Sequence, residues 1–138
     1  MQGIEQIAAG GRLLAIIVRA QVTTEKKYNF LTDQQNALQL GISSYAGGER
    51  IVSHAHLQTE VTVPSGQEFI LVKSGKLRVL LYDERTREQL SVQDLAAGDA
   101  ILLIAGGHGF EVLEACQIME VKQGPYLSKE KDKVVWDS

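Results

Sequence analysis

Along most of the chain, apolar and polar residues alternate in short runs that predict β-strands. Leu13–Val22 is apolar and β-branched, and Arg50–His56 alternates. Further predicted strands are Glu68–Ser74, Lys76–Asp83, Gln89–Val92, Ala100–Ala105, Gly109–Leu113 and Cys116–Lys122. The first two of these are interpreted as a hairpin around Ser74–Gly75. About nine or ten short strands at this spacing predict an antiparallel sandwich or barrel.

Helical signals are weak and confined to two places. Gln2–Ala9 fits one or two turns of helix ended by Gly10–Gly11, or equally a loose tail. Thr32 with Gln35 three residues later resembles the start of a short helix. We therefore expect one domain over residues 1–138, with 1–12 as a tail or short helix and 123–138 as a polar tail. Within that tail, Trp136 is expected to dock either on the barrel or on a second subunit.

Composition narrows the classes of partner and compartment. The net charge of −3 gives no reason to expect a nucleic-acid or acidic-membrane partner. The apolar run Leu13–Val18 is too short to span a bilayer, and the first residues lack the features of a signal peptide. Cys116 is the only cysteine, which fits a reducing compartment. These features predict a cytoplasmic protein with no membrane partner.

Three histidines and one glutamate form the chemically most informative set. His54 and His56 are two residues apart, so on a strand their imidazoles point to the same face. The hairpin return can bring Glu68 to the same point, and His108 follows Gly106–Gly107 much later in the chain. Imidazole nitrogens and a carboxylate oxygen are a plausible ligand set for a first-row transition metal.

The spacing around these residues resembles the first sequence motif of the cupin superfamily. That motif is Gly, five residues, His-x-His, a few residues, Glu, six residues, Gly. Here Gly48 is followed by five residues and His54-Ala-His56, and Glu68 is followed by six residues and Gly75. The gap between His56 and Glu68 is longer than the family's usual three or four residues.

A second stretch resembles the second cupin motif, which is Gly, five residues, Pro-x-Gly, two residues, His. Gly98–Asp99 opens the stretch, Gly106 stands at the motif's glycine position, and His108 follows. His108 comes one residue early, and Ile104 replaces the proline. Flexible glycine backbone at Gly106–Gly107 would still allow a bend that turns His108 inward. The two motifs together cover roughly residues 45–113.

Two carboxylates compete for the position of the motif glutamate. Glu60 lies at the usual distance from His56, whereas Glu68 keeps the six-residue spacing to Gly75. Glu68 also begins a strand whose alternate residues can face a barrel interior. We expect Glu68 to be the ligand and keep Glu60 as the alternative.

The resemblance implies a double-stranded β-helix, or jelly roll, that holds a metal through His54, His56, Glu68 and His108. The ion would be Zn, Fe, Mn or Ni, and the ligand set does not choose among them. The expected partner is a small polar molecule, such as a sugar derivative or a carboxylic acid. The candidates for lining its pocket are Tyr45, Arg78, Tyr82 and Phe110. A homodimer is also expected, with Leu13–Val22 covering the partner's sheet.

Three functions are compatible with these features. The first is a metal-dependent enzyme, an isomerase, epimerase or dioxygenase. The second is a non-catalytic module that binds or senses a small ligand on the same scaffold. The third is a metal-free enzyme similar to sugar-nucleotide epimerases, in which His and Tyr transfer the protons.

Overall fold

The computed structural model describes residues 1–136 and shows an all-β chain. Its strands are β1 Ile4–Ala9, β2 Arg12–Val18, β3 Glu68–Tyr82, β4 Gln89–Ala96, β5 Ala100–Leu103 and β6 Gly107–Lys122. The helix α1, Lys129–Asp132, is a single turn capped by Ser128. The last two residues of the predicted 123–138 tail lie outside the described part. The all-β prediction is confirmed, with six strands among the described residues instead of nine or ten.

The six strands form one curled antiparallel sheet. Strand order is β1-β2-β5-β3-β4, and β6 pairs with the other edge of β3. The first residues of β3 pair with β5 and its last residues with β4, while β6 runs beside β3 over nearly its whole length. The β3–β6 ladder is therefore the longest strand pairing of the sheet.

The predicted hairpin at Ser74–Gly75 is wrong, because β3 runs through these residues as one strand. Gly75 has a φ of +79, which bends the chain but does not reverse it. The β3–β6 register shifts between Val72 and Leu77, as expected where bulges bend a ladder. The strands predicted over Gly109–Leu113 and Cys116–Lys122 likewise belong to one strand, β6, which continues through the same register shifts.

The expectation of a short helix or a loose tail over Gln2–Ala9 is also wrong. Residues Ile4–Ala9 form β1, which pairs with β2 from Ile4 opposite Val18 to Ala9 opposite Arg12. Gly10 and Gly11 both have positive φ and form the tight turn of this hairpin. The glycine pair thus closes a hairpin where a helix end was expected.

Two further expectations fail in the stretch between β2 and β3. Thr32 does not cap a helix; its hydroxyl accepts a hydrogen bond from Leu40 N. Residues 33–36 form a turn in which Asn36 N donates to the carbonyl oxygen of Asp33. Residues Arg50–His56 belong to no strand in the described chain and are exposed to solvent. We call residues 50–66 the exposed segment.

Both faces of the sheet bury apolar side chains, and the main cluster lies on one of them. Ten buried side chains form one cluster: Ala15, Ile17, Ile70, Val72, Leu77, Val79, Leu81, Leu95, Ile101 and Leu103. We call this the inner face. Alternation along β3 also places Glu68 on it. Directly paired residues of an antiparallel ladder share a face, so β6 contributes His108, Phe110, Glu120 and Lys122.

The turn between β4 and β5 is fixed by a buried carboxylate. Asp99 accepts hydrogen bonds from Ala20 N at 2.8 Å, Ala96 N at 2.9 Å and Arg19 Nη1 at 3.2 Å. Gly98 before it has positive φ and packs closely on Ala20. This turn sets β5 beside the first residues of β3.

Two structural observations bear on the expected lack of a membrane partner and on the expected homodimer. No helix within residues 1–136 has the length and apolar character to cross a bilayer. Strand β2 is paired on both edges, by β1 and β5, within its own sheet. The homodimer therefore stays a prediction, and a partner strand would have to add at another edge.

Candidate functional site

A carboxylate and an imidazole from opposite ends of the β3–β6 ladder meet on the inner face. Oε2 of Glu68 lies 3.2 Å from Nε2 of His108, with the side chains 14% and 32% exposed. Glu68 pairs with Lys122, whereas His108 pairs with Leu81, thirteen residues farther along β3. A straight strand would separate these positions by roughly 40 Å. The contact therefore measures how strongly the ladder curls.

Gly75 sits near the middle of that ladder and makes the curl possible. A Cβ built on Gly75 would overlap the carbonyl oxygen of Ala115 and lie 2.7 Å from Cα of Cys116. Only glycine combines this close approach with the positive φ. The six-residue spacing from Glu68 to Gly75 thus has a physical role, because the bend brings the two ends of the inner face together.

The start of β3 is held by the buried residue just before Glu68. The amides of Gln67 and Asn36 exchange two hydrogen bonds, each 2.8 Å long. The carbonyl oxygen of Gln67 accepts from Gln123 N at 2.9 Å. Buried and paired on both sides, Gln67 leaves little freedom to the backbone of Glu68.

The electrostatics of the pair favour an ionised Glu68. The contact with His108 is the largest cause that lowers the pKa of Glu68, to about 2, against the opposing effect of burial. Interaction with the Glu68 carboxylate, together with burial, raises the pKa of the neighbouring Glu120 carboxyl. Lys122 lowers the pKa of both carboxyls. The site thus holds one firmly charged carboxylate beside one that retains its proton to higher pH.

Glu120 and Lys122 are members of this cluster that the sequence reasoning missed. They follow Ile118 at alternate positions of β6 and face inward with it. Lys122 Nζ also lies 3.6 Å from Asp132 of α1. No signal in the sequence marks them, because their direction depends on the register of β6 with β3.

His54 and His56 lie together, but apart from this cluster. Their ring centroids are 5.4 Å apart in the exposed segment. Nδ1 of His54 lies 2.9 Å from the carbonyl oxygen of Val52, a contact that leaves its Nε2 free. Within residues 1–136, no group of three or more His, Cys, Asp or Glu side chains is close enough to hold a metal ion. Glu60, the alternative carboxylate, is also exposed in this segment.

The four expected pocket residues lie in four different environments. Phe110 is on the inner face, its ring centroid 5.4 Å from that of His108. Arg78 is on the opposite face in an exposed ion pair with Asp94 at 2.8 Å. Tyr45 and Tyr28 stack edge to face in the chain before β3. Tyr82 is 4% exposed, and its hydroxyl has no hydrogen-bond partner within the described residues. Only Phe110 of the four contacts the Glu68–His108 pair.

The donor atoms of the pair fit two neighbouring ligands of one transition metal. Ligands bound at about 2.1 Å and roughly 90–110° apart have donor atoms about 3.0–3.4 Å from each other. The observed 3.2 Å separation lies in that range. The same distance is that of an ordinary ion pair or hydrogen bond. Glu68 and His108 are therefore together, while His54 and His56 lie apart from them in the exposed segment.

Comparisons with known proteins add no relationship. No family model matches the chain, and neither a curated protein nor a solved structure is significantly similar to it.

Proposed function

We propose that this chain is a metal-binding cupin that acts on a small polar molecule. The curled sheet would be the main part of a jelly-roll barrel, and Glu68, His108, His54 and His56 would hold a divalent Zn, Fe, Mn or Ni ion. The observation that carries the proposal is the 3.2 Å contact between Glu68 and His108, which are forty residues apart in the chain. A carboxylate with a strongly lowered pKa beside an imidazole is a common feature of functional sites.

The proposal requires the exposed segment to close over the inner face. In this segment Leu57 is 90% exposed and Val61 is 73% exposed, which is an unfavourable state for apolar side chains. Ile51, Ala55, Leu57 and Val61 alternate with the positions of His54 and His56. As a strand, the segment would present both imidazoles on one face and these apolar side chains on the other. Within residues 1–136, β6 has only β3 as a strand partner, so its second edge can accept such a strand.

Each proposed ligand has a defined task. Ionised Glu68 supplies the negative charge, and its low pKa keeps it available without prior deprotonation. His108 binds through Nε2, and His54 would bind through the Nε2 that its Val52 contact leaves free. A bound divalent ion would act as a Lewis acid or oxygen-activating centre. Glu120 can hold or accept a proton beside it, because its pKa is raised.

The side chains around the Glu68–His108 pair favour a polar, hydroxylated or anionic substrate. Lys122 offers an ammonium group, Glu120 a carboxyl group and Phe110 an apolar wall on the same sheet face. A sugar derivative or a carboxylic acid matches this mixture of donors, acceptors and one aromatic surface. The substrate class, a cytoplasmic location and a homodimer are parts of the same proposal.

Metal analysis tests the proposal directly. Protein purified without added metal is analysed for bound elements and then titrated with Ni²⁺ and Zn²⁺. We expect one ion per chain, lost in Glu68→Gln, His108→Gln and His54→Ala but kept in Glu60→Gln, which serves as the matched control. Wild type that contains no metal and binds neither ion contradicts the proposal.

A metal-independent acid–base enzyme is the second candidate. The observation favouring it is the Glu68–His108 contact itself, since a carboxylate that orients an imidazole is the usual way to prepare a general base. Turnover that survives chelation but is lost in His108→Gln would favour this candidate. Binding of a small ligand without any turnover would instead favour a non-catalytic module.

A further inference from the structure

Trp136, the only tryptophan of the chain, packs against the beginning of β6. Its ring meets Tyr82 edge to face, with centroids 5.7 Å apart, and the guanidinium of Arg87 lies 5.3 Å from its centroid. On its third side is Gly107, where a Cβ would lie 2.9 Å from Cζ2 of the indole. Trp136 therefore packs, half-buried, against the residue that immediately precedes His108.

The loop between β3 and β4 holds Arg87 in place beside the indole of Trp136. Arg87 has a φ of +64, a conformation that a residue with a side chain adopts only when its surroundings fix it. Asp83 holds this loop in place. Its carboxylate accepts hydrogen bonds from Arg85 N and Thr86 N, and its carbonyl oxygen accepts one from Arg87 N. The strained residue thus presents a cation to the indole face, where a cation–π contact is favourable.

Trp136 and His108 lie on opposite sides of the same piece of backbone. His108 pairs with Leu81 and faces inward, whereas Tyr82, which contacts Trp136, faces outward. The neighbouring Gly106 has positive φ and approaches the carbonyl oxygen of Tyr82. The ladder pairs Gly107 with Tyr82 and His108 with Leu81, so contacts of Trp136 with Tyr82 and Gly107 act on the backbone that carries His108.

We propose that Trp136 is a positioning residue for His108. Clamped between Arg87, Tyr82 and Gly107, the indole fixes the backbone so that the imidazole stays within reach of Glu68. This inference rests on the proposed metal site. It adds a role for a residue far along the chain that touches neither metal nor substrate.

Cobalt binding by the full chain tests this role. Wild type and variants are titrated with Co²⁺, and affinity and visible absorption spectrum are recorded. We expect Trp136→Ala to lose roughly tenfold in Co²⁺ affinity, as outer-shell changes do, with a spectrum shifted toward that of His108→Gln. Trp136→Phe keeps an aromatic ring against Tyr82 and Arg87 and should restore most of both. Folded Trp136→Ala with wild-type affinity and spectrum overturns the proposal.

A pair of glycine variants separates positioning from general stability. Gly107→Ala keeps the tryptophan but forces its ring away, so it should reproduce the effect of Trp136→Ala. Gly109→Ala flanks His108 on the other side and meets only Tyr82 Cε2, at 3.8 Å, so it should bind Co²⁺ like wild type. Equal affinity in the two glycine variants contradicts the proposal, even if Trp136→Ala does not fold.

A metal-free readout distinguishes this inference from the proposed function. Wild type that binds no Co²⁺ contradicts the metal site but leaves the positioning measurable. In the metal-free protein the Cε1–H NMR resonance of His108 should move in Trp136→Ala and Gly107→Ala in the same direction as in Glu68→Gln. A resonance that responds to Glu68→Gln but to neither of the other two overturns the positioning role.

Discussion

The two halves of the proposed ligand set are held in opposite ways. Glu68 and His108 are far apart in sequence but meet because a long ladder of paired residues curls around Gly75. His54 and His56 are neighbours in sequence, and only local contacts hold them in the exposed segment. Ligand atoms that are close in sequence can thus be held by local contacts alone, whereas a curled sheet fixes ligand atoms that are distant in sequence.

The largest expected effect comes from removing the bend itself. Gly75→Ala adds a Cβ where Ala115 and Cys116 leave no room and imposes side-chain strain at positive φ. We expect a loss of about 2–5 kcal/mol in the free energy of unfolding, measured by urea denaturation. Gly66→Ala in the exposed segment meets only Gln123 Cβ at 3.8 Å and should change stability by less than about 0.5 kcal/mol. Similar losses in both variants would contradict the comparison.

Hydrogen exchange should show the same contrast along the wild-type backbone. Amides of β3 and β6 are paired in the ladder, whereas residues 51–63 belong to no strand or helix in the described chain. We expect β3 amides to exchange at least about a thousandfold more slowly than those of residues 51–63 in metal-free protein. Added Zn²⁺ should slow exchange in residues 51–63. Metal binding that leaves these amides unprotected would exclude closure of the segment.

A smaller effect is expected when acid removes the charge of Glu68. Because its folded pKa of about 2 lies below its usual 4.5, Glu68 stabilises the fold above about pH 4.5, and this is lost as pH falls toward 2. The pKa of Glu120 is raised, so Glu120 stabilises the fold at low pH, and this stabilisation is lost as the pH rises through its folded pKa.

Urea midpoints at about pH 6 and about pH 3 measure the Glu68 contribution. Wild type should lose more stability between these two conditions than Glu68→Gln does, because the variant has no carboxylate to protonate. An equal loss in the two proteins would show that the contact with His108 does not stabilise the folded chain.

The smallest effect is expected on the outward face of the same strand. Arg78 and Asp94 form an exposed ion pair, and such pairs contribute little. Arg78→Gln should leave both the urea midpoint and the Ni²⁺ affinity unchanged within error. A substantial loss of metal binding would bring Arg78 into the site after all.

The all-β class was predictable from the sequence, because short alternating runs identify it, but the number and limits of the strands were not. The continuity of β3 was missed, because Ser74–Gly75 is typical of a hairpin turn and also of a bulge. Only the opposing strand, through the close approach of Ala115, decides between them. Glycine pairs have the same ambiguity, which turned the Gly10–Gly11 hairpin into an expected helix end.

The candidate site was predictable where motif spacing encodes a bend, and not elsewhere. Glu68 and His108 were both proposed from spacing, and the structure brings them together. Glu120 and Lys122 were overlooked because their inward direction depends on the register with β3. The expected closure of His54 and His56 over the same face remains a prediction, since it depends on a segment that local sequence does not fix.

The most direct measurement is an anomalous difference map from crystals of the protein grown with Ni²⁺. We expect one strong peak about 2.1 Å from Nε2 of His108 and from a carboxylate oxygen of Glu68, with His54 and His56 completing the coordination. A peak bound elsewhere, or a crystal in which the Glu68 and His108 side chains do not approach each other, would contradict it.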